Sequence, residues 1–276
     1  MSSRPSILDI RAAFDVPVEQ GAGCELRVDV LAPAKTPAAG LPVVVRIDGC
    51  PGWRSGPRRA AMAPYANPHL ASAGFMTVAA TVRSSSTARW PAQLHDARRV
   101  LAWLHRNPLE LPLDPARAGV WGHSAGAHVA AMLALTEPAE SRQISAVVAI
   151  SCPTDLNAAD WPAAGAPDSP VTRLLGGADL ATASARRAAS PTAHVSADAP
   201  PFLLVHGTAD ETVPFSQAER FARALTDASV RCELEVIRGG HHNLRGDPDA
   251  PYAGAIWVDV AERARTFFEQ AWSDLP

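Results

Sequence analysis

The most informative part of the sequence is residues 118–135, which read A-G-V-W-G-H-S-A-G-A-H-V-A-A-M-L-A-L. It starts as a short apolar run, passes through G-H-S-A-G and continues as a helix-forming segment rich in Ala, Leu and Met. In this context of strand, tight turn and helix, G-x-S-x-G holds a serine on a strained bend at the carboxyl end of the strand. The pattern predicts a nucleophile at Ser124, flanked by Gly122 and Gly126 because larger side chains there would clash. A turn without chemistry is the alternative interpretation.

Composition and charge indicate a globular protein and argue against binding to nucleic acid or membrane. Hydrophobic residues make up 47% of the 276 residues and charged residues 19%, which is ordinary for a globular protein. The formal net charge of −3 gives no electrostatic case for nucleic-acid binding. No apolar run approaches the roughly 18 residues that span a bilayer, and the first residues include no apolar signal region. We therefore expect a cytoplasmic protein that binds neither nucleic acid nor membrane.

Apolar patterns predict strands that alternate with helices. The predicted strands are residues 25–32, 41–47, 75–82, 118–121, 144–150, 201–205 and 231–237. Helices are predicted at 64–73, 93–105, after 126, at 216–228 and at 256–272. This alternation indicates an α/β fold with a mostly parallel central sheet and helices on both faces, as a single domain over residues 1–276. Residues 1–20 are expected to form a weakly structured arm, and the irregular segment 157–199 is a candidate lid or pocket wall.

A serine hydroxyl becomes a good nucleophile only when a base takes its proton, and a carboxylate must orient that base. The chain supplies candidates in the order Ser, Asp, His. Asp210 lies just past a buried strand, where a turn can bring its carboxylate to the sheet edge. It is preferred over Glu211, Asp155 and Asp179. The base is His241 or His242, since both follow the last predicted strand and spacing alone does not choose between them.

A tetrahedral intermediate needs two N–H donors for its oxyanion. One is expected from Ala125, the residue after the nucleophile, and the other from the loop after strand 41–47. In that loop Pro51 has no N–H, which leaves Cys50 as the best donor and Gly49 as the next.

Three residues near these elements are candidates for substrate binding, namely Gly49, Trp53 and His123. His123 and His128 lie too close in the chain to Ser124 to approach it as the base, and both also fit a packing role. His206, on the loop predicted to carry the acid, also fits a packing role.

These motifs resemble the esterase/lipase group of the α/β-hydrolase superfamily, in particular small acyl-hydrolases similar to kynurenine formamidase and to feruloyl or acetyl-xylan esterases. The resemblance covers residues 24–270 and is carried by G-H-S-A-G-A-H-V-A-A-M and P-P-F-L-L-V-H-G-T-A-D-E-T-V-P-F-S-Q-A. Such proteins usually end this region with G-x-x-H-G-F or H-N-F. Aligned on that ending, G-G-H-H-N-L places the catalytic histidine at His242.

Two departures from that group affect the mouth of the site. The usual H-G-G-G-W becomes D-G-C-P-G-W at residues 48–53, with Asp in place of His and one residue more. The segment before the first predicted strand is also too short for a helical cap, so we expect little or no cap, with Trp53, Trp90 and Trp161 as candidate mouth residues.

The resemblance implies a serine hydrolase that cleaves carboxylic esters of small to medium acyl groups through an acyl-enzyme, without metal or cofactor. An aryl formamidase or peptidase-like amide hydrolase is the first alternative, and a non-catalytic ligand-binding relative is the second. The last predicted helix offers either core packing or the face of a homodimer. Its apolar residues are Ile256, Trp257, Val260, Phe267 and Phe268.

Overall fold

The structure is a computed structural model that describes residues 10–19, 26–37, 39–48, 51–53, 66–106, 111–138, 143–246 and 253–273. Its strands are β1 (Ile10–Glu19), β2 (Leu26–Pro33), β3 (Leu41–Asp48), β4 (Met76–Thr81), β5 (Leu113–His123), β6 (Ala146–Ile150), β7 (Phe202–Gly207) and β8 (Cys232–Ile237). They form one sheet in the order β1-β2-β4-β3-β5-β6-β7-β8. Pairing is antiparallel between β1 and β2 and between β2 and β4, and parallel from β4 through β8. The predicted mostly parallel sheet is confirmed.

Helices cover both faces of this sheet. They are α1 (Ala66–Ser72), α2 (Ala92–His105), α3 (Ala125–Leu135), α4 (Pro162–Gly165), α5 (Pro170–Leu174), α6 (Ala183–Ala188), α7 (Ser216–Asp227) and α8 (Ala253–Ser273). Buried side chains of α2, α3 and α7 pack in one core, while those of α1 and α8 pack in a second core. Within the described ranges, no helix combines the length and apolarity that a membrane crossing requires.

Successive side chains along a buried strand belong alternately to one core and to the other. On β3, Val43 and Val45 belong to the core with α3, whereas Val44 belongs to the core with α8. Successive side chains of a strand point to opposite faces, so a strand covered on both sides is apolar throughout. In α8, Phe267 and Phe268 are fully buried against the sheet. Of the two roles left open for these two residues, the structure therefore assigns core packing.

The first strand corrects the expectation of a weakly structured arm over residues 1–20. Residues 10–19 form β1, which pairs with β2 and is interrupted by irregularities between Ala13 and Val16 and between Pro17 and Glu19. Val18 is buried, whereas Phe14 is 66% exposed. An edge strand with a proline and broken alternation lacks the regular two-residue period that predicts a strand. The boundary of β5 was also misplaced, because this strand begins at Leu113 rather than at residue 118.

The segment 157–199 lies between β6 and β7 and contains α4, α5, α6 and a short 3₁₀ turn at Pro191–His194. It packs beside the 51–53 turn, since a Cβ on Gly52 would lie 2.9 Å from Cβ of Pro170. The carbonyl of Leu174 also accepts a hydrogen bond of 2.8 Å from the N–H of Trp90. The segment thus borders two of the predicted mouth residues, Trp53 and Trp90.

One glycine allows the ends of β7 and β8 to approach closely. A Cβ on Gly207 would lie 2.0 Å from the main-chain oxygen of Gly240. Because the clash is with main chain, Gly207→Ala is expected to lower the free energy of unfolding by about 3 kcal/mol, measured by urea unfolding. Gly165→Ala is the matched control, since a Cβ there meets no described atom within 4 Å. Equal stabilities of the two variants would contradict this packing.

Candidate active site

The turn between β5 and α3 holds Ser124 in a strained conformation. Its φ is 54° and its ψ is −123°, a region that non-glycine residues rarely occupy. The N–H of Ser124 donates to the carbonyl of Ile150 at 2.8 Å, which ties the turn to the end of β6. A Cβ on Gly122 would lie 2.3 Å from the main-chain carbon of Gly126. The turn therefore requires glycine at position 122, as the sequence predicted.

The loops after β7 and β8 are joined to each other by main-chain contacts. The N–H of Ala209 donates to the carbonyl of Gly240 at 2.9 Å, and the N–H of Thr208 donates to the carbonyl of Ile237 at 3.0 Å. Leu244 is fully buried in the core with α8 and anchors the second loop. These contacts bring the loop with Asp210 and the loop with His242 to the same edge of the sheet as Ser124.

Ser124, His242 and Asp210 form a continuous line of hydrogen bonds. Nε2 of His242 lies 2.8 Å from Oγ of Ser124, and Nδ1 of the same ring lies 2.8 Å from Oδ2 of Asp210. The carboxylate only accepts, so Nδ1 carries the ring proton. Nε2 is then free to accept the serine proton, which is the arrangement that a general base requires.

Asp210 is completely buried at its side chain and is surrounded by donors. The N–H groups of Thr212 and Val213 each donate to Oδ1 at 2.9 Å. Nε2 of His206 lies 3.2 Å from Oδ2 and 2.9 Å from the carbonyl of Val213, so this nitrogen carries its proton. Burial alone would raise the pKa of Asp210, but the hydrogen bonds from His206, His242 and the main chain outweigh it and hold that pKa well below its usual value. The carboxylate stays ionised.

The two adjacent histidines have different surroundings. His241 has 44% of its side chain exposed, and its Nδ1 lies 3.9 Å from Oε1 of the exposed Glu211. His242 has 20% of its side chain exposed and contacts both Ser124 and Asp210. The geometry brings His242, not His241, to the serine, and Asp210, not Glu211, to the histidine.

Of the predicted donors to the oxyanion, the structure describes only Ala125. Ala125 is the first residue of α3, where main-chain N–H groups have no partner within the helix and the helix dipole is positive. Gly49 and Cys50 lie outside the described residues. In the parts of the chain that are described, no group of three or more His, Cys, Asp or Glu side chains is placed to hold a metal ion.

His123 contacts the histidine loop and the last helix. Its Nε2 lies 3.0 Å from the carbonyl of His242, and its ring lies 5.4 Å from the ring of Trp257 and 5.2 Å from that of His242. Burial, together with repulsion from His242, lowers the pKa of His123 to about 4. These contacts support the packing role considered for His123 rather than substrate binding.

His128 lies in an aromatic cluster next to the nucleophile helix. Its ring centre lies 5.1 Å from that of Trp53 and 4.9 Å from that of Trp90. Nε2 donates to the carbonyl of Ala189 at 2.7 Å, and Nδ1 has no hydrogen-bond partner among the described residues. Burial lowers the pKa of His128 to about 4, so the ring is neutral at neutral pH. Trp53, a predicted substrate-binding residue, is itself 4% exposed in this cluster.

The buried His128 predicts a pH-dependent stability. Its pKa is about 4 in the folded protein and 6.5 in a free imidazole, so the unfolded chain binds more protons between these values. The free energy of unfolding should therefore fall as pH falls from 6.5 to 4, by about 3 kcal/mol from this residue. His128→Gln keeps an N–H donor and should lose that part of the slope in urea unfolding, with His95→Gln at an exposed histidine as control. An unchanged slope in His128→Gln would contradict the assignment. The stabilising contribution of Asp210 to the free energy of unfolding is lost only below pH 3.8, outside this range.

Comparison with known proteins agrees with this geometry. The profile of the BD-FAE family matches residues 28–225, more than half of the chain. The chain belongs to the BD-FAE family. This membership confirms the predicted esterase/lipase group of the α/β-hydrolase superfamily.

Three known proteins illustrate the relationships of this BD-FAE chain. It is 33% identical over 202 residues, 68% of its length and 46% of the other protein, to "Probable carboxylic ester hydrolase LipM" of Mycobacterium tuberculosis. A carbohydrate esterase from gut microbiota superposes with a TM-score of 0.80 at 19% identity over 98% of both chains, which shows the fold. The propionate-bound Est2 esterase of the Planctomycetes species Thermogutta terrifontis superposes with a TM-score of 0.71 at 26% identity, over 95% of this chain and 96% of that one. The BD-FAE chain spans about half the length of the curated relatives it matches.

Two residues of this BD-FAE protein make contacts at the site that its sequence does not predict. For His206 a packing role is the preferred prediction, yet it contacts the buried carboxylate of Asp210. Ser151 was not considered, and its Oγ donates to the carbonyl of His242 at 3.1 Å. The L-L-V-H-G-T-A-D spacing, which places a histidine four residues before the acid, is the one local signal that could have found His206.

Proposed function

We propose that the protein is a serine hydrolase that cleaves carboxylic esters of small to medium acyl groups. The observation that carries this proposal is the hydrogen-bond line from Ser124 Oγ through His242 to Asp210, with 2.8 Å at each of its two closest contacts. Membership of the BD-FAE family and the likeness to proteins named as esterases support the ester as the bond that is cleaved. The substrate is then a small ester.

In the first half of the reaction, Oγ of Ser124 attacks the ester carbonyl carbon while Nε2 of His242 takes the hydroxyl proton. Asp210 accepts from Nδ1 of the resulting imidazolium and stabilises its charge. The N–H groups of Ala125 and Cys50 hold the oxyanion of the tetrahedral intermediate. The bond to the alcohol oxygen then breaks, the alcohol leaves with the proton from Nε2, and the acyl group stays on Ser124.

In the second half, water attacks the acyl carbon and gives a proton to Nε2 of His242. The bond between the acyl carbon and Oγ breaks, Oγ of Ser124 recovers the proton, and the carboxylic acid leaves. His242 is a base in the first step of each half and an acid in the second, so it must be neutral in the resting enzyme. Besides the ester, the proposed reaction therefore uses only groups of the chain and a water molecule.

The proposed acyl size is supported by the surroundings of the nucleophile. Trp53 and Trp90 pack around His128, one helical turn after Ser124, and the segment 157–199 packs beside the 51–53 turn. We propose that these bulky rings border the acyl site, where they would leave room for short chains better than for long ones. The related Est2 esterase is described with bound propionate, a three-carbon carboxylate. We therefore propose acyl groups of this order, with 157–199 as a wall of the pocket.

The test is a panel of substrates that differ in the bond cleaved. We expect turnover of p-nitrophenyl acetate and butyrate, with little activity on N-formylkynurenine or aminoacyl anilides. Turnover of the amides alone would overturn the ester assignment in favour of the formamidase or peptidase alternative. No turnover of any substrate, with reversible binding of an ester, would favour the non-catalytic ligand-binding alternative.

A further inference from the structure

The main chain of His242 makes its own contacts, separate from those of its imidazole ring. Its carbonyl oxygen accepts from Nε2 of His123 at 3.0 Å and from Oγ of Ser151 at 3.1 Å. A carbonyl oxygen has two lone pairs, so both of its acceptor positions are used. The two donors come from the ends of β5 and β6, and the acceptor comes from the loop after β8. Three loops thus meet at one oxygen atom.

Both donors are held firmly. Ser151 is fully buried, and its N–H donates to the carbonyl of Val205 at 2.9 Å. Its φ is 46°, a left-handed conformation that costs a non-glycine residue free energy and that persists only when surrounding contacts enforce it. His123 is 8% exposed, with its ring against Trp257. Rigid donors fix the carbonyl more precisely than mobile surface groups would.

The protonation of His123 agrees with a donor role. Its partner is a carbonyl oxygen, which only accepts, so Nε2 of His123 carries the proton. The pKa of about 4 keeps this ring neutral at neutral pH, which adds no positive charge beside the ring of His242. A neutral donor holds the main chain without opposing the imidazolium that forms during the reaction.

We infer that His123 and Ser151 are positioning residues that clamp the main-chain carbonyl of His242 and thereby hold its ring between Ser124 and Asp210. This role rests on the proposed hydrolase function. Small displacements of a catalytic group are costly, since an error of about 1 Å can lower a rate by about a hundredfold. The clamp acts on the geometry of proton transfer and not on substrate binding, so its loss should affect kcat and leave KM nearly unchanged.

Two substitutions at position 151 separate the hydroxyl from the backbone conformation. Ser151→Ala and Ser151→Gly both remove the donor, and glycine also accommodates a positive φ without strain. We expect each to lower kcat for p-nitrophenyl butyrate by about tenfold with KM within about twofold of wild type. If the role of Ser151 were only to support the fold, the glycine variant would keep wild-type kcat, and that result would overturn its place in the clamp.

At position 123, a variant that keeps an N–H donor can be compared with one that removes it. His123→Leu removes the donor and should lower kcat by at least about tenfold, whereas His123→Gln keeps an N–H near the position of Nε2 and should recover kcat to within about threefold of wild type. Equal kcat in the two variants, with equal thermal stability, would overturn the role of His123.

Ser145→Ala is the matched control for both positions. Ser145 flanks the other end of β6, and its Oγ donates to the carbonyl of Ala118 at 3.0 Å, away from the three loops. This variant should keep wild-type kcat. A wild-type protein that hydrolyses nothing would overturn the proposed function and the clamp together. An active wild type with fully active Ser151 and His123 variants would overturn the clamp alone.

Discussion

Replacement of Ser124 by alanine is expected to lower kcat for a short p-nitrophenyl ester by roughly 10⁴-fold to 10⁶-fold, with the fold intact. The hydroxyl is the only group at this turn that can form the acyl-enzyme, and alanine occupies the same backbone conformation. The measurement is steady-state hydrolysis at high enzyme concentration, together with thermal unfolding.

A glycine at the same position supplies the control for stability. Ser124 has a φ of 54°, which glycine adopts without strain. Ser124→Gly should be as inactive as Ser124→Ala but at least as stable as wild type, because the strained conformation is held for function. Hydrolysis by either variant within tenfold of wild type would contradict the nucleophile assignment.

The second largest effect is expected at the base. His242→Ala should lower kcat by roughly 10⁴-fold, because it removes the proton acceptor 2.8 Å from Ser124 and one of the donors to the buried carboxylate of Asp210. His241→Ala is the matched neighbour and should lower kcat less than about threefold, since its side chain is 44% exposed and its Nδ1 lies 3.9 Å from Oε1 of Glu211. Equal losses in the two variants would leave the choice of His242 without support.

The sequence predicts the strand, turn and helix around Ser124 well because the information is local. A strand, two glycines around a serine and a helix lie within 18 residues, 118–135, and the clash that requires Gly122 involves Gly126 within the same turn. The buried strands are predicted for a similar reason, since each is a compact apolar run. The edge strand β1 is not, because its stability comes from pairing with β2 rather than from its own pattern.

The choice between His241 and His242 shows the limit of spacing arguments. Adjacent residues in a loop lie at nearly the same distance from the preceding strand, so contacts with other loops are needed to distinguish them. Those contacts include the close approach of Gly207 to Gly240 and the clamp on the carbonyl of His242. The resemblance to known acyl-hydrolases favours His242, because the usual ending of their last loop aligns its histidine with this residue. Ser151 has no local signal, and its role appears only once β5, β6, β7 and β8 are placed in one sheet.

The most direct test of Ser124 as the nucleophile is covalent labelling with a fluorophosphonate, followed by peptide mapping. We predict one equivalent of label on Ser124, loss of hydrolysis in proportion to labelling, and no label in His242→Ala under the same conditions. Label on Ser151, Ser145 or any other residue, with Ser124 unmodified and activity lost, would contradict the central claim that Ser124 is the nucleophile.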